Sequence, residues 1–242
     1  MEVGKVRKNI MNAIAIITAR GGSKRIPKKN IKDFCGKPII AYSIEAAIQS
    51  ELFEEVMVST DSEEIAEIAE KYGAKVPFLR SDRNSNDFAT TIDVLKEVVN
   101  CYLDRGRAFD YVCCLYPTAP FVTSKKLIDA FGKVISGEAD SIYPVVPFSF
   151  PPQRGVREVG GYVKFIEPEN YPKRSQDLEK IYHDCGQFYI YNTQSLMNKD
   201  KLEMKELPYF VSELEVQDID NETDWKLAEI KYQIMLSGKY TG

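Results

Sequence analysis

The sequence predicts an α/β fold with a mostly parallel sheet and helices on both faces, on three observations. Short β-branched runs alternate with stretches of helical period from Ala13 onward. The chain's 242 residues suffice for one large domain, folding to roughly 11,000 Å² of surface from about 40,000 Å² extended. Its composition, 44% hydrophobic and 28% charged, is that of globular rather than disordered or collagen-like chains. In such sheets ligands bind beyond the C-terminal ends of the strands, which is where functional residues are to be sought.

Residues 1–10 show no apolar period and precede a second methionine, Met11; they read as a disordered N-terminal extension to a domain spanning 11–242. Ala13 to Thr18 is Ile-rich and breaks at Gly21-Gly22, a buried strand entering a loop. Ile40, Ile44, Ala47 and Ile48 keep helical spacing. Val56 to Thr60 is the next strand, and Asp61-x-x-Glu64 reads as a capping box. The helix it opens faces inward through Ile65, Ile68, Ala69 and Tyr72 and stops at Gly73. A third strand leads to Arg80. Ile92, Leu95, Val99 and Tyr102 mark a helix, Tyr111 to Tyr116 a strand, Leu127, Phe131 and Val134 a helix, and Ser141 to Val146 a strand. From about 147 to 191 the chain turns Pro- and aromatic-rich. Gly160-Gly161 precedes Tyr162 to Phe165, with Gln187 to Tyr191 further on, so this stretch reads as an inserted β-rich lobe. A last helix carries Trp225, Ala228, Tyr232 and Met235 at three- and four-residue spacing.

Charge is unevenly spread. Residues 20–32 hold Arg20, Lys24, Arg25, Lys28, Lys29 and Lys32 and no acid, leaving 26 basic and 36 acidic residues elsewhere, net −10. An acidic body with one cationic loop argues against nucleic-acid binding and for a small polyanion, though a solvated charge run has the same composition. No apolar run nears the roughly 20 residues that span a bilayer, and no signal-peptide h-region is present, so no membrane partner and a cytoplasmic location are expected. Five cysteines with no C-x-x-C, beside one histidine, indicate neither a disulfide framework nor a zinc site. Cys113 and Cys114 lie in an apolar run as small hydrophobes.

The loop from Ala19 through Arg20, Gly21, Gly22, Ser23 and Lys24 to Lys29 and Asn30 directly follows the first strand. Adjacent glycines permit turns closed to other residues and leave backbone N–H groups to face phosphate, which the cations neutralise. Neither the Walker spacing nor G-x-G-x-x-G is present, which sets aside P-loop enzymes and nicotinamide-dependent dehydrogenases. Asp218-Ile219-Asp220 places two carboxylates on one side of an extended segment with Ile219 inward, a pair that suits Mg²⁺ (or Mn²⁺); the same residues also fit a helix cap near Asn221. Arg80 and the stretch Asp87, Ala89 and Thr90 follow the third strand, where Thr90 also fits a helix N-cap and Arg80 a surface ion pair. Tyr116-Pro117-Thr118 is a rigid strand-end loop able to wall a pocket. Arg154 and Arg174 suit a carboxylate but also a solvent-facing role, and His183 fits a structural residue or a substrate contact.

Taken in order, A-R-G-G-S-K-R-I-P-K-K-N, V-S-T-D, L-R, Y-P-T-A-P and D-I-D-N-E-T-D resemble the cytidylyltransferases that activate nonulosonic acids, a family that includes the CMP-sialic acid synthetases. The resemblance runs from about Met11 to the C-terminus. It implies a Rossmann-like nucleotide-diphospho-sugar transferase core and a homodimer in which the small lobe reaches over the neighbouring active site. It also implies CTP and a nonulosonic acid as substrates. By position, Arg20, Lys24 and Lys29 resemble the phosphate-contacting residues, with Asn30 beside them. Arg80 is similar to the cytosine-contacting arginine, and Asp218 and Asp220 to the metal-binding aspartates. On this basis Arg20, Lys24, Lys29 and Asp220 are the expected catalytic residues. Tyr116, Thr118, Arg154, Arg174, His183 and Gln187 are expected at the sugar. Tyr116 stands where sialic acid enzymes have Gln, and His183-Asp184-Cys185-Gly186 where they have R-P-N-G. Both departures fall at positions expected to touch the sugar and argue against sialic acid, and the chain as a whole looks most like the branch acting on pseudaminic acid, a less polar sugar that Phe148, Phe150, Tyr182 and Phe188 would suit; the same aromatics also fit lobe core or dimer interface.

Overall fold

The computed structural model describes residues 12–137, 139–198 and 203–238; the expected extension at residues 1–10 lies outside them. In chain order the elements are β1 (Ala13–Thr18), β2 (Asp33–Phe34), β3 (Lys37–Pro38), α1 (Ile40–Ser50), β4 (Glu55–Ser59), α2 (Glu63–Lys71), α3 (Thr91–Leu103) and β5 (Tyr111–Leu115). There follow α4 (Ser124–Ser136), β6 (Ser141–Pro147), β7 (Val156–Val159), β8 (Tyr162–Phe165), β9 (Tyr182–Asp184), β10 (Phe188–Asn192), α5 (Thr193–Met197), β11 (Glu206–Phe210) and α6 (Glu222–Leu236).

The main sheet runs β11-β6-β10-β5-β1-β4, with β9 hydrogen-bonded to β6. β4 and β5 flank β1 in parallel, β11 is parallel to β6, and β10 is antiparallel to both its neighbours. The chain leaves β1 for β4 on one side and comes back to β5 on the other, so the crevice of a topological switch point opens where β1 and β5 end.

Alternation along β1 builds both faces. Ala13, Ala15 and Ile17 pack with Ile40 and Ile44 of α1 and Leu127 and Phe131 of α4. Ile14 and Ile16 pack with Leu95, Val99 and Tyr102 of α3 and Leu196 of α5. Cys113 and Cys114 divide between these two cores in the same way, and all five cysteines are free thiols. A third cluster joins Ile26 of the basic loop, Phe34, Tyr42, Ile219, Trp225 and Ala228, with Tyr232 and Met235 packed against it. Among the described residues no helix is long and apolar enough to cross a membrane.

Three local expectations are corrected. The third strand shrinks to one bridge, Lys75 opposite Met57, where Lys75 exchanges 2.9 Å hydrogen bonds with Val56 and Val58. The next rung needs an N–H from residue 77, and Pro77 has none. Helix α2 is capped by Ser62, whose hydroxyl accepts from the Ile65 amide, and not by Asp61. The inserted lobe expected over 147–191 ends earlier, because β10 sits inside the main sheet with Phe188 and Ile190 fully buried. Its aromatic alternation reads as a hairpin from sequence, but both faces of this strand are covered. Only the β7–β8 hairpin, turning at Gly160 and Gly161 with φ of 62° and 83°, and the loops around it stand clear of the core.

Candidate functional site

β1 delivers the basic loop to the crevice. The Ala19 amide still pairs with Ser59 O at 3.0 Å, prolonging the β1–β4 ladder by one rung, and the chain then turns away. Neither Gly21 nor Gly22 adopts a positive φ, contrary to the turn expected of them. Gly21 sits in a close approach, since a Cβ there would stand 3.2 Å from Ser62 Cβ, a tight contact. Its amide donates to Asp61 Oδ1 at 2.8 Å. Asp61 is thus a loop-holding residue that sequence reading assigned to a helix cap; nothing local pairs two residues so far apart. The left-handed turn falls instead on Lys28, at φ 52°. Asn30, buried, ties the loop to itself through Arg20 O at 2.9 Å.

The loop meets the far end of the chain here. Ile26 and Ile219 are 1% and 2% exposed in the same apolar cluster, and the charged residues flanking each are carried together with them. Arg25 Nη2 lies 2.6 Å from Asp220 Oδ1, and Lys29 Nζ donates to Ile219 O at 2.7 Å and stands 4.0 Å from the Asp220 carboxylate. Burial pushes the Lys29 pKa down against the pull of Asp220 and Asp218. Neither aspartate is the cap of α6; Asn221 is, in a capping box with Asp224.

A cavity of about 570 Å³ opens over this junction, lined by Arg20, Ser23, Lys24, Arg25, Lys29, Asn30, Arg80, Asp87, Ala89, Thr90, Tyr116, Thr118 and Asp220 among others. Five cations face two carboxylates in that lining. In a chain of net charge −4, such a surplus selects a polyanion. Arg20 and Lys24 converge on Asp87 at 2.6 and 2.5 Å, and hydrogen bonds from Lys24 and then Arg20 hold its carboxyl below the usual carboxylate range. Arg80 is no surface ion pair. It is 8% exposed, its Nε donates to Ser59 Oγ at 3.0 Å and its Nη2 to Ser59 O at 2.6 Å, and the residue lines the cavity. Thr90 does cap α3, in a capping box with Asp93.

A second cavity of about 650 Å³ adjoins the first through Tyr116 and Thr118. His183, Asp184, Tyr189, Glu213, Asp218 and Lys231 line it beside apolar Val146, Leu214, Val216 and Ile219. The Tyr116 hydroxyl lies 3.2 Å from Thr91 Oγ1, and its ring packs against Tyr189 at 5.5 Å, forming the partition. Gln187 lies behind this wall, 2% exposed, its amide donating to Glu215 O at 2.5 Å. Arg154 and Arg174 line neither cavity; they lie in the lobe, on Ser175 Oγ at 3.1 Å and on Asp177 at 2.8 Å. Of the four aromatics expected to suit the sugar, Phe188 is core, and Phe148, Phe150 and Tyr182 lie outside both linings.

Asp218 and Asp220 flank the buried Ile219 at the junction, one lining each cavity. Among the described residues no third carboxylate, histidine or cysteine gathers with them. A donor set of two hard carboxylates, leaving other positions to phosphate oxygens and water, fits an ion such as Mg²⁺.

Residues 14–227 match the family model "Cytidylyltransferase". The chain is 40% identical over 226 residues to the pseudaminic acid cytidylyltransferase of Campylobacter jejuni subsp. jejuni serotype O:2, covering 93% of this chain and 97% of that protein. It is 35% identical to the CMP-N,N'-diacetyllegionaminic acid synthase of Legionella pneumophila, covering 90% and 95%. In three dimensions it is similar to a CMP:2-keto-3-deoxy-manno-octonic acid synthetase solved with CTP. There the TM-score is 0.65 at 19% identity, covering 93% of this chain and 99% of that one, a likeness of fold.

Proposed function

Because the chain belongs to the cytidylyltransferase family, we propose that it joins CTP to a nonulosonic acid. The anomeric hydroxyl attacks the α-phosphate in line and displaces pyrophosphate, giving the CMP-sugar. The observation that carries this reading is the meeting of the basic loop and Asp218-Ile219-Asp220 at the border of two adjoining cavities. One cavity has the charge for a triphosphate, and the other has mixed polar and apolar walls for a sugar.

Within that reading Arg20, Lys24 and Lys29 offset charge building on the leaving pyrophosphate. Asp87 holds Arg20 and Lys24 until the triphosphate takes its place. Arg80, pre-oriented by Ser59, presents its free donors to the cytosine. Asp218 and Asp220 would hold Mg²⁺ or Mn²⁺, a Lewis acid that would polarise the α-phosphate and lower the hydroxyl's pKa. Positioning and electrostatics carry the reaction without a covalent enzyme intermediate.

The sugar we assign is pseudaminic acid, supported by the 40% identical relative and by the apolar walls of the second cavity. Pyrophosphate release from CTP and Mg²⁺, measured with pseudaminic, legionaminic, sialic and 3-deoxy-octulosonic acids, is expected to be fastest with the first. Preference for another acid keeps the chemistry and changes the substrate. CTP binding without release from any acid makes the protein a nucleotide binder, not an enzyme.

The β7–β8 hairpin leaves Tyr162 and Val163 74% and 72% exposed, more apolar surface than a lone chain gains from showing. We assign this lobe to a homodimer contact that brings Arg154 and Arg174 toward the neighbouring cavity. Light scattering on the purified protein is expected to give the mass of two chains, and Val163→Asp to give one; a wild-type monomer discards the contact. Cytoplasmic placement follows from the supply of CTP.

A further inference from the structure

Within a single chain, the proposed reaction leaves one charge of the sugar unaccounted for. A nonulosonic acid bears its carboxylate on the same carbon as the reacting hydroxyl, so the carboxylate's partner must lie next to the point where the α-phosphate meets Asp218 and Asp220. Arg154 and Arg174 line neither cavity of this chain. Among the described residues lining the second cavity, Lys231 of α6 is the one permanent cation. Its Nζ donates to Val216 O at 2.6 Å and to Glu213 O at 3.2 Å. These two bonds fix the ammonium against the backbone two residues ahead of Asp218, and an ammonium has three donors. The neighbouring acids are otherwise engaged. Asp184 accepts from the Gly186 amide and the Tyr189 hydroxyl, each at 2.7 Å, and Glu213 accepts from Ser149.

We infer that Lys231 is the residue of this chain that binds the carboxylate of the sugar acid, an assignment that rests on the reaction proposed above. Burial pushes the Lys231 pKa down, with Glu213 opposing it, and a bound carboxylate relieves that penalty. A lysine suits the place because a compact ammonium keeps both backbone bonds and still offers a third donor.

The test compares pseudaminic acid with its methyl ester as ligands of the full-length wild type, Lys231→Met and Lys231→Arg, with CTP and Mg²⁺ held at saturation. A charge-assisted hydrogen bond predicts a wild-type preference for acid over ester of roughly tenfold or more. In Lys231→Met the KM for the acid is expected to rise by that factor and the preference to collapse toward one, with KM for CTP unchanged; Lys231→Arg is expected to recover part of it. Either of two results overturns the inference: a preference retained in Lys231→Met, or an equal weakening of acid and ester, which marks Lys231 as a prop for the Asp218 segment. A wild type that releases pyrophosphate with no sugar acid fails before any variant is made, and sinks the reaction together with the assignment.

Discussion

Asp220→Ala is expected to lower turnover by roughly 10²–10³-fold or more, the scale on which transition-state charge stabilisation is lost, while the protein stays folded. The side chain of Asp220 is 36% exposed and its closest partner Arg25 69% exposed, while Lys29, 4.0 Å away, keeps its bond to Ile219 O, so truncation leaves the fold's contacts in place. An exposed pair of this kind contributes about 0–1 kcal/mol to stability. Activity and stability therefore separate at this residue. Arg25→Gln is the control, because it breaks the same ion pair and leaves the carboxylate in place. Pyrophosphate release with CTP and Mg²⁺ gives the rate, and a thermal melt gives the fold. Near-normal turnover in Asp220→Ala would remove this carboxylate from the metal site and with it the role given to the loop–acid junction.

Trp225→Ala has the largest expected effect on stability, about 3–5 kcal/mol from lost burial and the cavity left behind. The indole is 3% exposed, meets the Phe34 ring edge-on at 5.6 Å and lies under the Lys32 ammonium at 4.6 Å. It belongs to the cluster that seats Ile26 against Ile219. Because that cluster joins the cationic loop to the paired aspartates, the variant is expected to bind CTP more weakly as well as to melt at lower temperature. Leu196→Ala, fully buried in the core on the other face, is expected to lose stability without losing CTP affinity. If Trp225→Ala melts early yet binds CTP like wild type, the ion pairs hold the junction and the apolar cluster does not.

Much of this was legible in the chain because burial leaves a local period. Isoleucines alternate across β1, and the faces of α1 to α4 repeat every three or four residues, since each side must meet a core. The cationic loop and the aspartate pair were legible as chemistry, from charge that nothing nearby neutralises in sequence. Less legible were residues whose role rests on a distant partner. Asp61 reads as a helix cap until Gly21 is found 2.8 Å away, and nothing local marks Lys231 until its ammonium is found 2.6 Å from Val216 O. β10 reads as lobe until both its faces are seen to be covered.

Sequence alone therefore determined the alternation of strands and helices and the residue types able to hold a triphosphate and a divalent ion. Tertiary structure alone decided that these two sets share a border, which cavity each aspartate lines, and that Arg154 and Arg174 stay clear of both. The reason is physical. Periodicity and backbone chemistry act between neighbours in the chain, whereas hydrogen bonds and ion pairs depend on separations of a few ångströms that only the packing of Ile26, Ile219 and Trp225 establishes.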